Sequence, residues 1–157
     1  MSDTIDQAAP DRFNKPEDSI GYRLWHVLHA YQRSLEQAFA GLDLTHLQYV
    51  LLWQSAYLAH CGEVPSQARI AAAAGLDKMM VSKVVRLLEE KNYVTRSPHP
   101  DDPRANRVDV TPAGRAILRE ALPRARATHD RFFGCLGPEK DHLGALLDEL
   151  MAARVTR

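Results

Sequence analysis

The 157 residues carry 20 Lys and Arg against 20 Asp and Glu, so the chain is formally neutral and lacks the general basic excess of a protein that binds nucleic acid by charge alone. Hydrophobic residues at 45% and charged residues at 25% suffice for one domain's core. There is no apolar run of about 18 residues and no charged-then-apolar leader, so neither a membrane span nor a secretory signal is indicated and a cytoplasmic protein is the expectation.

Residues 1–15 are polar and without apolar periodicity, so they read as a flexible tail. From Pro16 to Leu42 the residues Ile20, Leu24, Val27, Leu28, Tyr31, Leu35, Phe39 and Leu42 keep helical spacing and predict a first long helix. The same segment carries a second stripe, Tyr22, Trp25, His26 and His29, so more than one face is set to be covered, by a subunit partner or by a ligand. Thr45 and Gln48 form a capping box that starts a second helix, running to about Leu58. Ala59 to Gly62 ends it, and Glu63-Val64-Pro65 is long enough only for a short edge strand.

Ser66 to Asn92 predicts two helices about a tight turn. Ser66 caps the first, Gly75 supplies a residue able to leave the helix in a left-handed conformation, and Asp77 caps the second. In the second helix Val81, Val84, Val85 and Leu88 make a buried face, opposite Met79, Ser82, Lys83 and Arg86. A helical hairpin with a solvated charged face fits these residues as well as a helix-turn-helix does. The downstream residues favour the helix-turn-helix. Tyr93–Arg96 and Arg107–Val110 are β-prone runs either side of the turn-rich Ser97–Pro103, and together they predict a hairpin wing. From Asp77 to Arg107 the basic residues number seven (Lys78, Lys83, Arg86, Lys91, Arg96, Arg104, Arg107) and the acidic five. So small an excess leaves affinity to base or shape readout. Thr111 as cap and Pro112 at the first position open another long helix, bent at Pro123. Gly134 to Pro138 interrupts it, and a last helix from about Glu139 to Arg154 presents Leu143, Leu146, Leu147, Leu150 and Met151.

In the ordered set Gly75-Leu76-Asp77-Lys78, Val81-Ser82-Lys83, Leu87-Leu88-Glu89-Glu90-Lys91, Asp101-Asp102-Pro103-Arg104-Ala105 and Val110-Thr111-Pro112-Ala113-Gly114, the chain resembles the MarR family of winged helix-turn-helix regulators. The resemblance runs from about Ile20 to the C-terminus. It implies a mainly α fold with a small β-hairpin wing. A core over residues 45–111 would be flanked by dimerisation helices, 16–42 and 112–157, within one domain over 16–157. It further implies a homodimeric repressor on a pseudo-palindromic site in double-stranded DNA, released by a small aromatic carboxylate or phenolic effector.

The expected DNA contacts are Lys78, Met79, Ser82, Lys83, Arg86, Arg104 and Arg107. Lys83 or Arg86 suits guanine O6 and N7, Ser82 a base edge or phosphate, and Met79 a thymine methyl. Met79-Met80 departs from the small polar pair common among relatives, and Met80 is open to a core role. The resemblance puts Arg104 in a minor groove, oriented by Asp102, while Arg107 suits a phosphate contact or a strand-end salt bridge. Tyr22, Trp25, His26 and His29 form the candidate effector site between the dimerisation helices and the winged core, with His29 and Arg86 or Arg96 facing an anion. The seven histidines are scattered, without HExxH, a phosphate loop or GxSxG, so no catalytic residue, cofactor or enzyme activity is expected. A metal- or redox-sensing regulator using His26, His29 or Cys61 is the alternative, although no set of three metal ligands is evident and Cys61 and Cys135 lack a CxxC spacing.

Overall fold

Pro16 and Gly41 bound the first helix more tightly than the apolar repeat suggests. In the structure, a computed structural model describing residues 15–155, Pro16–Asp18 forms a 3₁₀ turn and Ser19 is extended. Helix α1 therefore spans only Ile20–Ala38, not 16–42. Proline fixes its own φ but has no N–H for a preceding turn, and after Ala38 the chain turns through Gly41 at φ 82°, where only glycine is free of a Cβ penalty. The predicted tail lies outside the described residues except for Lys15. The described residues divide into two compact units, one ending at Ser34 and the other beginning at Leu35.

Unit one holds the 3₁₀ turn and most of α1. Its apolar side chains Ile20, Leu24, Val27 and Leu28 are exposed.

Unit two is built on α2, His46–His60. Its predicted capping box is complete: the Gln48 amide donates to Thr45 Oγ1 at 3.3 Å, and the Thr45 amide donates to Gln48 Oε1 at 3.1 Å. Leu51, Leu52 and Leu58 are buried, each contributing about 1.5–3 kcal/mol relative to exposure. The helix packs against α3 (Gln67–Ala74), α4 (Lys78–Glu90), strand β2 (Asn106–Val110) and α5 (Pro112–Phe133). Strand β1 (Val94–Pro98) pairs antiparallel with β2, Val94 opposite Val110 and Pro98 opposite Asn106. Val94 and Val108 complete the core beneath the hairpin.

The expected edge strand at Glu63-Val64-Pro65 is absent as an element. Its place is taken by one bridge, Ser66 to Arg107, and by the Val108 amide donating to the Pro65 carbonyl at 2.7 Å. Proline cannot donate to a ladder, and Ser66 leaves it at once to cap α3.

Helix α5 begins as the sequence predicts, with Thr111 Oγ1 accepting from the Gly114 amide at 3.0 Å, and it continues through Pro123. Leu118, Ala121, Ala125 and Thr128 are its buried side. Helix α6, Glu139–Val155, follows a 3₁₀ turn and Gly137, and its Leu146, Leu147, Leu150 and Met151 are exposed.

Candidate nucleic-acid interface

The turn between α3 and α4 is set by three short-range contacts. Ser66 Oγ accepts from the Arg69 amide at 3.1 Å, Gly75 adopts φ 66° and ψ 30°, and Asp77 Oδ1 accepts from the Met80 amide at 2.8 Å. Glycine takes the left-handed conformation without strain, and each cap satisfies a helix-end amide that would otherwise have no partner. Val81, Val84, Val85 and Leu88 then fix the rotation of α4 by burial. Lys78, Met79, Lys83 and Arg86 are exposed in consequence, with Ser82 half-buried between them. Met80 is not a core residue, being 43% exposed. It follows Met79 by 100° around the helix and falls beside the valine face rather than on it.

Two ion pairs that cross between elements hold α4 in place. At its C-terminal end Lys91 Nζ donates to Asp43 Oδ1 at 2.6 Å, to the Asp43 carbonyl at 3.1 Å and to the buried Gln48 Oε1 at 3.2 Å. The Tyr93 hydroxyl beside them is pushed above its ordinary pKa by burial and by the Asp43 carboxylate. In the second pair, Arg96 on β1 donates through Nε to Glu89 on α4 at 2.8 Å and also through Nη2. The hydrogen bonds from Arg96 hold the Glu89 carboxyl below its usual range. The wing is thereby tied to the helix that the caps orient.

At the wing tip the Arg104 amide donates to Asp102 Oδ1 at 2.9 Å, and the Ala105 amide to the Asp102 carbonyl at 3.0 Å. Asp102 therefore shapes the backbone under Arg104, while the Arg104 side chain stays exposed. Of the two roles left open for Arg107, the strand-end ion pair is present, its Nε donating to Asp109 Oδ1 at 2.7 Å. Among the described residues Lys78, Lys83 and Arg104 enter no ion pair, in contrast to Arg96 and Arg107.

The predicted effector residues lie together on α1. Tyr22 and His26 have ring centroids 4.2 Å apart, Trp25 and His29 likewise 4.2 Å, and Trp25 meets His26 edge-on at 4.9 Å. His29 Nδ1 donates to the Trp25 carbonyl at 2.8 Å, which leaves only Nε2 for another group. Arg96, expected as a partner for an anion, is committed to Glu89. A second aromatic surface lies outside the residues that the sequence singles out. On α2, Trp53 and Tyr57 stack with centroids 5.7 Å apart and stay 41% and 50% exposed. Their i, i+4 spacing on a helix already rich in aromatics was the available signal. The Tyr57 hydroxyl is raised above its ordinary pKa first by its hydrogen bond with exposed Cys61. Among the described residues no three His, Cys, Asp or Glu side chains gather as a metal site. No helix there is long and apolar enough to cross a membrane.

A capped helix-turn-helix with a cationic outer face, tied to a β-hairpin that carries an exposed arginine at its tip, defines a winged helix-turn-helix of the DNA-binding class. Residues 44–105 match the family model described as MarR family. The chain is similar to an uncharacterized HTH-type transcriptional regulator, YdcH, of Bacillus subtilis, at 34% identity over 88% of this chain and 95% of that relative. It is also similar to the HTH-type transcriptional repressor NicR of Pseudomonas putida, at 32% identity over 78% of this chain and 77% of NicR. Among solved structures, CouR from Rhodococcus jostii bound to p-coumaroyl-CoA superposes with a TM-score of 0.74 at 26% identity, covering 89% of this chain and 94% of CouR. The chain belongs to the MarR family of transcriptional regulators.

Proposed function

We propose that residues 16–157 act as one regulatory domain that pairs with a second copy, represses transcription from a pseudo-palindromic operator, and releases it on binding a small aromatic carboxylate or phenol. The observation that carries the DNA reading is the joining of two exposed cationic features. The face of Lys78, Met79, Ser82, Lys83 and Arg86 is fixed in rotation by buried valines, and Arg104 stands on a wing tied to the same helix through Arg96 and Glu89. Lys83 and Arg86 suit guanine edges in a major groove, and Arg104 suits a narrow, strongly negative minor groove. Arg107 adds to the site by bracing β2 through Asp109, its remaining donors available to a phosphate.

Pairing is supported by the apolar side chains left exposed at both ends of the chain: Ile20, Leu24 and Leu28 on α1, Leu146, Leu150 and Met151 on α6. Faces of this kind mark association surfaces. A two-fold pair of winged helices requires half-sites about 34–36 Å apart. Repression is the role that the similar NicR carries in its name.

The effector reading rests on the α1 aromatics Tyr22, Trp25, His26 and His29 and on the similarity to CouR, which was solved with an aromatic acyl thioester. Indole and phenol rings offer flat apolar walls, and His29 Nε2 offers a polar contact for a carboxylate or hydroxyl. The effector acts by favouring a pair whose recognition helices no longer match the operator spacing, and its effect on DNA affinity equals its differential affinity for the two states.

The full chain, incubated with random-sequence duplexes, should enrich an inverted repeat. Sedimentation of the complex should give two chains per duplex, and a screen of aromatic acids and phenols should find compounds that release it. Enrichment of no sequence would defeat the DNA reading. Release that persists unchanged in folded Trp25→Ala and His29→Ala variants would remove the effector from α1.

A further inference from the structure

Met79 has the greatest exposure of any large hydrophobic side chain among the described residues, 84%, above even Ile20 at 76%. Ile20 belongs to an apolar stripe, whereas Met79 stands among Lys78, Ser82, Lys83 and Arg86 on the first turn of α4. The core does not use it, because Val81, Val84, Val85 and Leu88 fill the opposite side. Nor can it turn inward, since the Asp77 cap on the Met80 amide at 2.8 Å and the buried valines fix the helix rotation.

A thioether has no donor and is only a weak acceptor, so Met79 cannot bond a phosphate and is a poor reader of the hydrogen-bonding edge of a base. It gains only by meeting apolar surface, and its unbranched, polarisable chain adapts to the shape it meets. In a major groove the apolar feature is the C5-methyl of a pyrimidine, and the N-terminal residues of a recognition helix are those that reach base edges. Ser82 and Lys83, at i+3 and i+4, set donors beside it for neighbouring acceptors.

We infer that Met79 recognises a pyrimidine C5-methyl group, of thymine or of 5-methylcytosine, at one position in each half-site. This rests on the assignment of α4 to the major groove. The test uses the full chain and a duplex recovered from random sequence, with each thymine replaced in turn by deoxyuridine, a change that removes the methyl and nothing else. Replacing one critical thymine should weaken wild-type binding about fourfold, and replacing its symmetry mate as well about fifteenfold, the worth of one and two buried methyl groups. Folded Met79→Ala should bind the thymine duplex less tightly and no longer distinguish uracil, so that the two losses do not add.

A second arm places cytosine or 5-methylcytosine at the same position. Partial recovery by methylation in wild type but not in Met79→Ala supports recognition of the methyl on either base, while absence of recovery beside a persisting uracil effect supports it on thymine alone. Indifference of wild type to uracil at every position overturns the inference and leaves the DNA reading standing, as does an undiminished uracil effect in Met79→Ala. The first of these outcomes with altered sedimentation of DNA-free Met79→Ala would assign the side chain to a protein contact. Failure to enrich any duplex overturns the DNA reading, and this inference with it.

Discussion

Replacing Gly114 by alanine should damage both stability and DNA binding, although alanine is the better helix former. A Cβ at this position would lie 2.1 Å from the Tyr93 carbonyl oxygen and 2.9 Å from Val110 Cγ1. An ordinary carbon-to-oxygen contact requires the first turn of α5 to retreat by about 1 Å from the residues that join α4 to β1. That retreat pulls on two bonds across the junction, the Thr111 amide to the Tyr93 carbonyl at 3.0 Å and Thr111 Oγ1 to the Asn92 carbonyl at 2.7 Å. Overpacking costs about 1–3 kcal/mol and each weakened hydrogen bond about 0.5–1.5 kcal/mol. Alanine returns about 1 kcal/mol of helix propensity. The net loss centres on about 3 kcal/mol, to be read as a fall in the urea midpoint at fixed chain concentration, since pairing couples to stability. Ala113→Gly, on the exposed side of the same turn, isolates propensity and should cost only about 1 kcal/mol. Because the junction also sets the wing against the recognition helix, the folded fraction of Gly114→Ala should bind the operator less tightly. An unchanged midpoint with unchanged affinity would refute the close approach as a constraint.

Lys91→Met removes three hydrogen bonds to Asp43 and Gln48. Lys91 is partly solvent-exposed and Gln48 keeps its bond to Thr45, so the expected cost is about 1 kcal/mol in the urea midpoint, and no change would show that the lysine is not a tether. His46 is held below its ordinary pKa of 6.5 chiefly by burial, opposed by the Glu36 charge. The unfolded chain then takes up its proton first, so stability should be full above pH 6.5 and fall as pH drops through the folded value. His46→Gln should flatten that part of the stability profile, and an identical profile would contradict the assignment. Arg104→Ala should weaken binding most on operators with A·T-rich flanks, where the minor groove is narrow, and an equal loss on all flanks would indicate a plain phosphate contact.

The helix-turn-helix was legible because its determinants are local. Ser66, Gly75 and Asp77 act within three or four residues of themselves, and the Val81, Val84, Val85, Leu88 repeat states its own burial. The same logic found Thr45 and Thr111 as caps. Periodicity failed where backbone chemistry overrode it: α1 stops short of Pro16 and Leu42 because a proline and a glycine define the turns there. Nor does an apolar repeat say whether its own chain covers it, and Ile20 and Leu150 remain exposed although their spacing is that of a buried face. The ties from Lys91 to Asp43 and from Arg96 to Glu89 were beyond reach because every surface charge has many candidate partners until the fold brings two together. Gly114 stood in a motif, but its reason, the Tyr93 carbonyl against its Cα, exists only after α5 packs on the wing root.

The most direct test of α4 as the DNA-reading helix is titration of folded Lys83→Ala and Arg86→Ala against the selected operator and against unrelated duplex. Both side chains lie opposite the buried valines, so thermal unfolding should match wild type within about 0.5 kcal/mol. Affinity for the operator should fall by about 1–3 kcal/mol for whichever side chain makes the bidentate guanine contact, with a smaller loss on unrelated DNA. Operator affinities equal to wild type in both folded variants would contradict the assignment of α4 to the groove.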